Sequence, residues 1–198
     1  ANNASQNRTW FCAPQMQLGT VATPFVAGTR TQSTNWYDLS GKNNTATLIN
    51  GVTLDSNEGL SFDGVNDYAV LNTFNNKPTT QITCESLIKP MKGTIGGTIR
   101  GGAISASNSM YLGIIDSVDG VGYAMHWANQ TNTSRPYSWH GRIPNNRWSH
   151  LVGTYDGATS RAYVNGIQIW ASSQNGTIPD ATYYVGTYGG TVVDGTHN

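Results

Sequence analysis

Glu58 and Glu85 are the only glutamates in the chain, and they bound its hydrolytic chemistry. Retaining glycoside cleavage needs two carboxyl groups ~5 Å apart, flanking the sugar. A strand supplies such a pair most simply from alternate positions, which share a face. Glu58 instead lies in the turn-like run Asp55-Ser56-Asn57-Glu58-Gly59, and Glu85 stands alone in Thr83-Cys84-Glu85-Ser86-Leu87. His126, His140, His150 and His197 lack the spacing of metal ligands on a helix. Serine is plentiful, but no G-x-S-x-G elbow occurs. Gly101-Gly102 and Gly189-Gly190 read as turn glycines, not phosphate loops. These residues predict no enzyme.

Binding chemistry is better represented. Sugars are held by aromatic faces, with Asn, Asp, Gln and His supplying directional hydrogen bonds. The stretch 110–142 is richest in these types. Tyr123, Met125 and Trp127 fall on one face of a strand, with Ala124 and His126 on the other. The polar run Asn129-Gln130-Thr131-Asn132-Thr133-Ser134-Arg135 follows, then Tyr137, Trp139 and His140. Tyr123, Trp127, Asn129, Asn132, Arg135, Tyr137, Trp139 and His140 are therefore the candidate ligand residues. The competing reading makes Tyr123, Met125 and Trp127 core and the loop merely solvated. Oxygen-bearing side chains gather at Asp63, Asn66 and Asp67, and again at Asp116 and Asp119. A hard cation needs six or more oxygens, and the same residues form turns without one.

These groups must be positioned by strands. Gly, Asn, Thr and Ser are abundant, and no segment has sustained helical periodicity. Short apolar-alternating runs recur around 46–53, 59–63, 67–72, 81–88, 94–100, 110–116, 121–128, 147–155, 160–164, 167–171 and 182–187. Asp156-Gly157 and Asn165-Gly166 are hairpin dipeptides that accept positive φ. The pattern predicts two packed antiparallel sheets. With 198 residues, the chain suits one substantial domain. Eleven basic residues balance eleven acidic ones. That balance argues against nucleic acid as a partner and against strong electrostatic steering. No apolar run reaches the ~20 residues that span a membrane, so no membrane insertion is expected. Cys12 and Cys84 read as small buried residues, with a disulfide the alternative.

Two ordered segments carry a resemblance. Arg147-Trp148-Ser149-His150-Leu151-Val152-Gly153-Thr154-Tyr155-Asp156-Gly157 with Ala162-Tyr163-Val164-Asn165-Gly166 is one. Trp36-Tyr37-Asp38-Leu39-Ser40-Gly41 with Leu60-Ser61-Phe62-Asp63-Gly64-Val65-Asn66-Asp67-Tyr68 is the other. Together they resemble laminin-G-like modules of the concanavalin A-like lectin and glucanase superfamily. The resemblance implies an all-β, two-sheet antiparallel jelly-roll sandwich. It also implies a structural role for His150, core positions for Trp36, Trp148 and Trp170, and calcium as a cofactor at Asp63, Asn66 and Asp67. The superfamily's retaining glucanases carry E-x-D-x-E on one strand, and this chain has none. Leu87 stands where the family usually has a tryptophan.

Residues 9–31 resemble a segment closing a β-sandwich in phage tail and virion appendage proteins. The expected organisation is therefore 1–31 as the end of a preceding module and 32–198 as the laminin-G-like domain. Nothing after Gly190 matches the family's final strand, so an excerpt of a longer protein is expected. The function implied is a non-catalytic structural or adhesion module on a virion surface, extracellular, such as a phage tail fibre. Its implied partners are a host surface glycan or receptor, and other virion proteins or copies of itself. The alternative is a carbohydrate-binding module of a secreted bacterial adhesin or a multidomain glycoside hydrolase.

Overall fold

The computed structural model describes residues 9–11, 34–38, 40–55, 59–63, 65–71, 74–90, 100–106, 109–116 and 123–187. In chain order the strands are β1 (Thr9–Phe11), β2 (Asn35–Trp36), β3 (Ala46–Ile49), β4 (Thr53–Asp55), β5 (Gly59–Phe62), β6 (Tyr68–Leu71), β7 (Ile82–Lys89) and β8 (Arg100–Ala106). They continue with β9 (Met110–Asp116), β10 (Tyr123–Asn129), β11 (Tyr137–Ile143), β12 (Ser149–Tyr155), β13 (Thr159–Val164), β14 (Ile167–Ser173) and β15 (Tyr183–Val185). One sheet has the order β14-β13-β12-β7-β1-β5-β4, the other β11-β10-β9-β8-β15-β6-β3-β2. All described pairings are antiparallel. The expected all-β sandwich of two sheets is the observed fold.

Burial follows the pleat. In β12, Ser149, Leu151, Gly153 and Tyr155 are buried while the residues between them are half-exposed. The inward sets of both sheets meet in one core, with Leu60, Phe62, Ile88, Leu112, Met125, Trp127, Ile143, Leu151 and Ala162 near its centre. Trp127 is fully buried, and its indole Nε1 donates to Ser160 Oγ of the facing sheet at 2.8 Å. That bond satisfies the ring's one polar atom. Opposite it the chain needs glycine, because a Cβ on Gly153 would stand 2.2 Å from the indole.

The Asn165-Gly166 turn has φ of 51° and 80°, the two positive values of a two-residue hairpin. Asn165 N donates to His150 O at 2.8 Å, and Asn165 Oδ1 accepts from His150 N at 2.9 Å. The Asp156-Gly157 connection is longer than a tight turn. Asp156 Oδ1 caps it by accepting from Ala158 N and Thr159 N at 2.9 and 2.7 Å.

Several expectations need correction. Thr9–Phe11 was assigned to a preceding module, yet it lies inside the sheet between β5 and β7. Its main chain supplies the hydrogen bonds those two strands would otherwise lack. The strand expected at 94–100 lies mostly outside the described residues; β8 begins at Arg100. β11 was missed altogether. The run 46–53 divides into β3 and β4 at Asn50-Gly51, both with positive φ. Trp148 is 37% exposed rather than core, whereas Trp36 and Trp170 pack against the core partly buried. Cys84 is a buried free thiol, 3.3 Å from Met110 Sδ, and Cys12 lies outside the described residues.

Candidate ligand-binding face

The candidate region folds as the β9-β10-β11 end of the larger sheet. Met125 and Trp127 point inward, so Ala124 and Ala128 take the outer face. The register opposes Ala128 to Tyr111 and Tyr137, and Ala124 to Ile115 and Arg142. Position 126 likewise opposes 139. A bulge between Ala124 and Met125 in this pairing shifts the phase of β11. With one residue added, Tyr137, position 139 and Arg142 fall on the same outer side. Gly141 sits at that bulge with φ of 76°, and a Cβ there would lie 2.9 Å from Ile169. The bulge therefore also brings β11 against β14.

The predicted residues are divided by this arrangement. Arg135, Tyr137 and His140 are exposed, Tyr137 to 56%. Trp127 and Asn129 are fully buried and cannot meet a ligand at the surface; their strand presents them to the core. The side chains of Tyr123 and Trp139 lie outside the described residues, as do Asp119 and the side chain of Asp116. Arg142 is the residue the sequence reading missed. Only the register, with its bulge, places it on the same outer side as Tyr137, and simple alternation from 137 does not.

Asn129 and Asn132 work inside the protein. Asn129 Nδ2 donates to Gln174 Oε1 at 3.4 Å, and Gln174 Nε2 donates back to Asn129 O at 2.6 Å. Asn132 N donates to Thr177 O at 3.0 Å, while Asn132 Oδ1 accepts from Thr177 N at 2.9 Å. Thr133 Oγ1 donates to Asn175 O at 2.7 Å. These bonds fasten the 130–136 loop to the 174–177 segment and so hold Arg135 in place. Arg135 also borders a small cleft with Ser109, Tyr111, Ala128 and Gln130.

At the proposed metal residues one oxygen of each carboxylate already accepts main-chain hydrogen bonds. Asp63 Oδ1 accepts from Val65 N and Asn66 N at 2.8 and 3.2 Å, and Asp67 Oδ2 accepts from Asp63 N at 3.1 Å. Asn66 is exposed, and its main-chain carbonyl accepts from Asn50 Nδ2 at 2.8 Å. Loss of water around Asp67 raises its carboxyl above the ordinary value, and the Asp63 charge adds to that rise. The turn is thus closed by its own N–H groups. Among the described residues, no group of three or more His, Cys, Asp and Glu is placed to share a metal ion.

Glu85 projects from the outer face of the smaller sheet, where its Oε2 lies 3.4 Å from His150 Nε2. Glu58 lies outside the described residues. His150 therefore has a surface partner rather than a core position.

A family model described as the concanavalin A-like lectin/glucanases superfamily (Laminin_G_3) matches residues 62–197. Two solved structures are similar in part. Domain 4 of AbnA, a GH43 extracellular arabinanase from Geobacillus stearothermophilus, in complex with arabinotriose, is 16% identical with a TM-score of 0.44. That match covers 79% of this chain and 68% of the other. The carbohydrate-binding module CBM66 from Bacillus subtilis is 14% identical with a TM-score of 0.40, covering 72% and 93%. A comparison with curated proteins finds no match.

Proposed function

The chain belongs to the concanavalin A-like lectin/glucanases superfamily, and from that premise we propose that it is a non-catalytic carbohydrate-binding and adhesion module. The observation that carries this reading is the outer face of β9-β11. There Tyr137 is exposed on an edge strand, with exposed Arg135 just before it and exposed Arg142 further along the same outer side. An aromatic ring flanked by hydrogen-bond donors suits a pyranose, whose faces are apolar and whose rim is hydroxylated. The setting we propose is a virion appendage at the extracellular surface, with other virion proteins or copies of the chain as neighbours. It rests on the resemblance of residues 9–31 alone. The want of a carboxylate pair on one strand face supports the non-catalytic assignment.

The test is a glycan array probed with the folded chain, in calcium and again in chelator, beside Tyr137→Ala. Binding reduced at least fivefold in the variant, as expected from losing ~1–3 kcal/mol of ring stacking and burial, supports the face. Calcium-dependent binding would draw on Asp63, Asn66 and Asp67. No binding in either condition, with the protein folded, retires the carbohydrate reading in favour of a structural spacer.

A further inference from the structure

The chain is neutral as a whole, but its charges are not mixed evenly. From Gly120 to Tyr155 it carries Arg135, Arg142 and Arg147 and no Asp or Glu. All three arginines are exposed. They lie along β11 and the loops at its two ends, on the edge of the larger sheet. The opposite end of that sheet, around β2, β3 and β6, holds Asp38 and Asp67 together with Lys42 and Lys77. Charge of one sign is thus gathered at the β11 edge, whereas the far edge carries both signs.

We propose that the β11 face takes an acidic polysaccharide, its carboxylate or sulfate groups received by Arg135 and Arg142 with Tyr137 between them. This rests on the carbohydrate reading above and narrows it to an anionic class. Guanidinium groups match both oxyanions with paired N–H donors, and such charge-assisted bonds are the stronger kind. Arg142 follows Arg135 by seven positions, roughly 23 Å if the chain were fully extended and less with the bulge. That span favours a polymer with repeated charge over a single terminal sugar. The same spacing disfavours duplex nucleic acid, which presents one charge per ~1.7 Å and calls for a denser row of cations. Charged side chains also guard sheet edges against pairing with other chains. A guard needs charge but no ligand, so affinity separates the two roles.

The experiment is affinity electrophoresis of the full chain at low salt. Parallel gels contain polygalacturonate, dextran sulfate, neutral dextran or duplex DNA. The expected result is retardation by at least one acidic polysaccharide and none by dextran, weakening as salt rises. The first two gels distinguish carboxylate from sulfate recognition. An Arg135→Gln/Arg142→Gln double variant should lose about tenfold in affinity, and the corresponding double Lys variant should keep part of it. If the Gln variant does not fold, the Lys variant and the salt dependence of the unaltered chain decide. Three results overturn the proposal: no retardation by either acidic polysaccharide, retardation unchanged in the Gln variant, or equal retardation by DNA. Neutral-glycan binding on the array with silent acidic gels defeats this inference alone. Silence in both defeats the carbohydrate reading with it.

Discussion

At the scale of single residues, the fold rests on a few close approaches. Gly153 and Trp127 are the clearest. The indole occupies the space where any larger residue on β12 would put its first carbon. Trp127 has no free space to retreat into, being fully buried and bonded to Ser160. Gly153→Ala is therefore expected to destabilise the protein by about 3 kcal/mol, at the upper end of overpacking costs. Urea unfolding checks it, and a variant within 0.5 kcal/mol of the parent (a surface-like effect) contradicts the packing. Tyr155 offers a contrasting case. Its hydroxyl oxygen lies 2.8 Å from Gly176 O and 3.0 Å from Gly157 O, and its one proton is shared between these two carbonyls, joining two loops. Pairwise contacts like these are not legible in sequence, because they depend on which strands face each other. The sequence marked Trp127 as either core or ligand, and burial decides for the core.

At the scale of elements, what was readable followed from alternation and turn chemistry. The β12-β13-β14 hairpins were anticipated because Asn165-Gly166 admits only one turn geometry cheaply and its flanks alternate cleanly. β11 was not, since the glycine and bulge in Tyr137–Ile143 interrupt the period that identifies a strand. The 9–11 segment was misplaced for another reason: three residues hold too little pattern to choose a partner sheet. The 129–135 loop looked like a ligand rim because it is polar. Its polar groups are instead spent on the 174–177 segment. Gln174 is buried at the centre of that junction. Gln174→Leu would strand the donor of Asn129 Nδ2 and the Asn129 carbonyl, so a loss of about 1–3 kcal/mol is expected. Faster amide hydrogen exchange at Asn132 and Thr177 should accompany it, because their mutual bonds depend on the same seating. Unchanged exchange at both would show that the two segments are held independently.

At the scale of the whole molecule, stability should depend on pH in a way set by the core and not by net charge. Burial pushes the Cys84 thiol up to about 12 from 9.0. It pushes the Tyr183 phenol up to about 12 from 10.0, with the Cys84 charge contributing second. Both groups belong to the same core cluster between the sheets. Each is an acid whose folded value is raised, so its contribution is fully present below the unfolded value and lost as pH rises toward the folded one. In that window the unfolded chain releases protons that the folded chain keeps. The fall therefore begins near pH 9 for Cys84 and steepens above pH 10, where Tyr183 joins. With both groups engaged, the slope approaches about 2.7 kcal/mol per pH unit. On the acid side, Arg161 and the N–H groups of Ala158 and Thr159 hold the Asp156 carboxyl down at about 2. Its contribution is present above the ordinary value of 3.8 and is lost as pH falls toward 2. Urea midpoints measured from pH 3 to 11 should trace a plateau that ends sooner on the alkaline side in the parent than in Cys84→Ala. In that variant the fall should start near pH 10, with Tyr183 and Tyr155, whose phenols are both raised by burial, left to titrate. The same onset in both chains would mean that Cys84 ionises as readily folded as unfolded, and the packed thiol at the centre of the sandwich would have to be reconsidered.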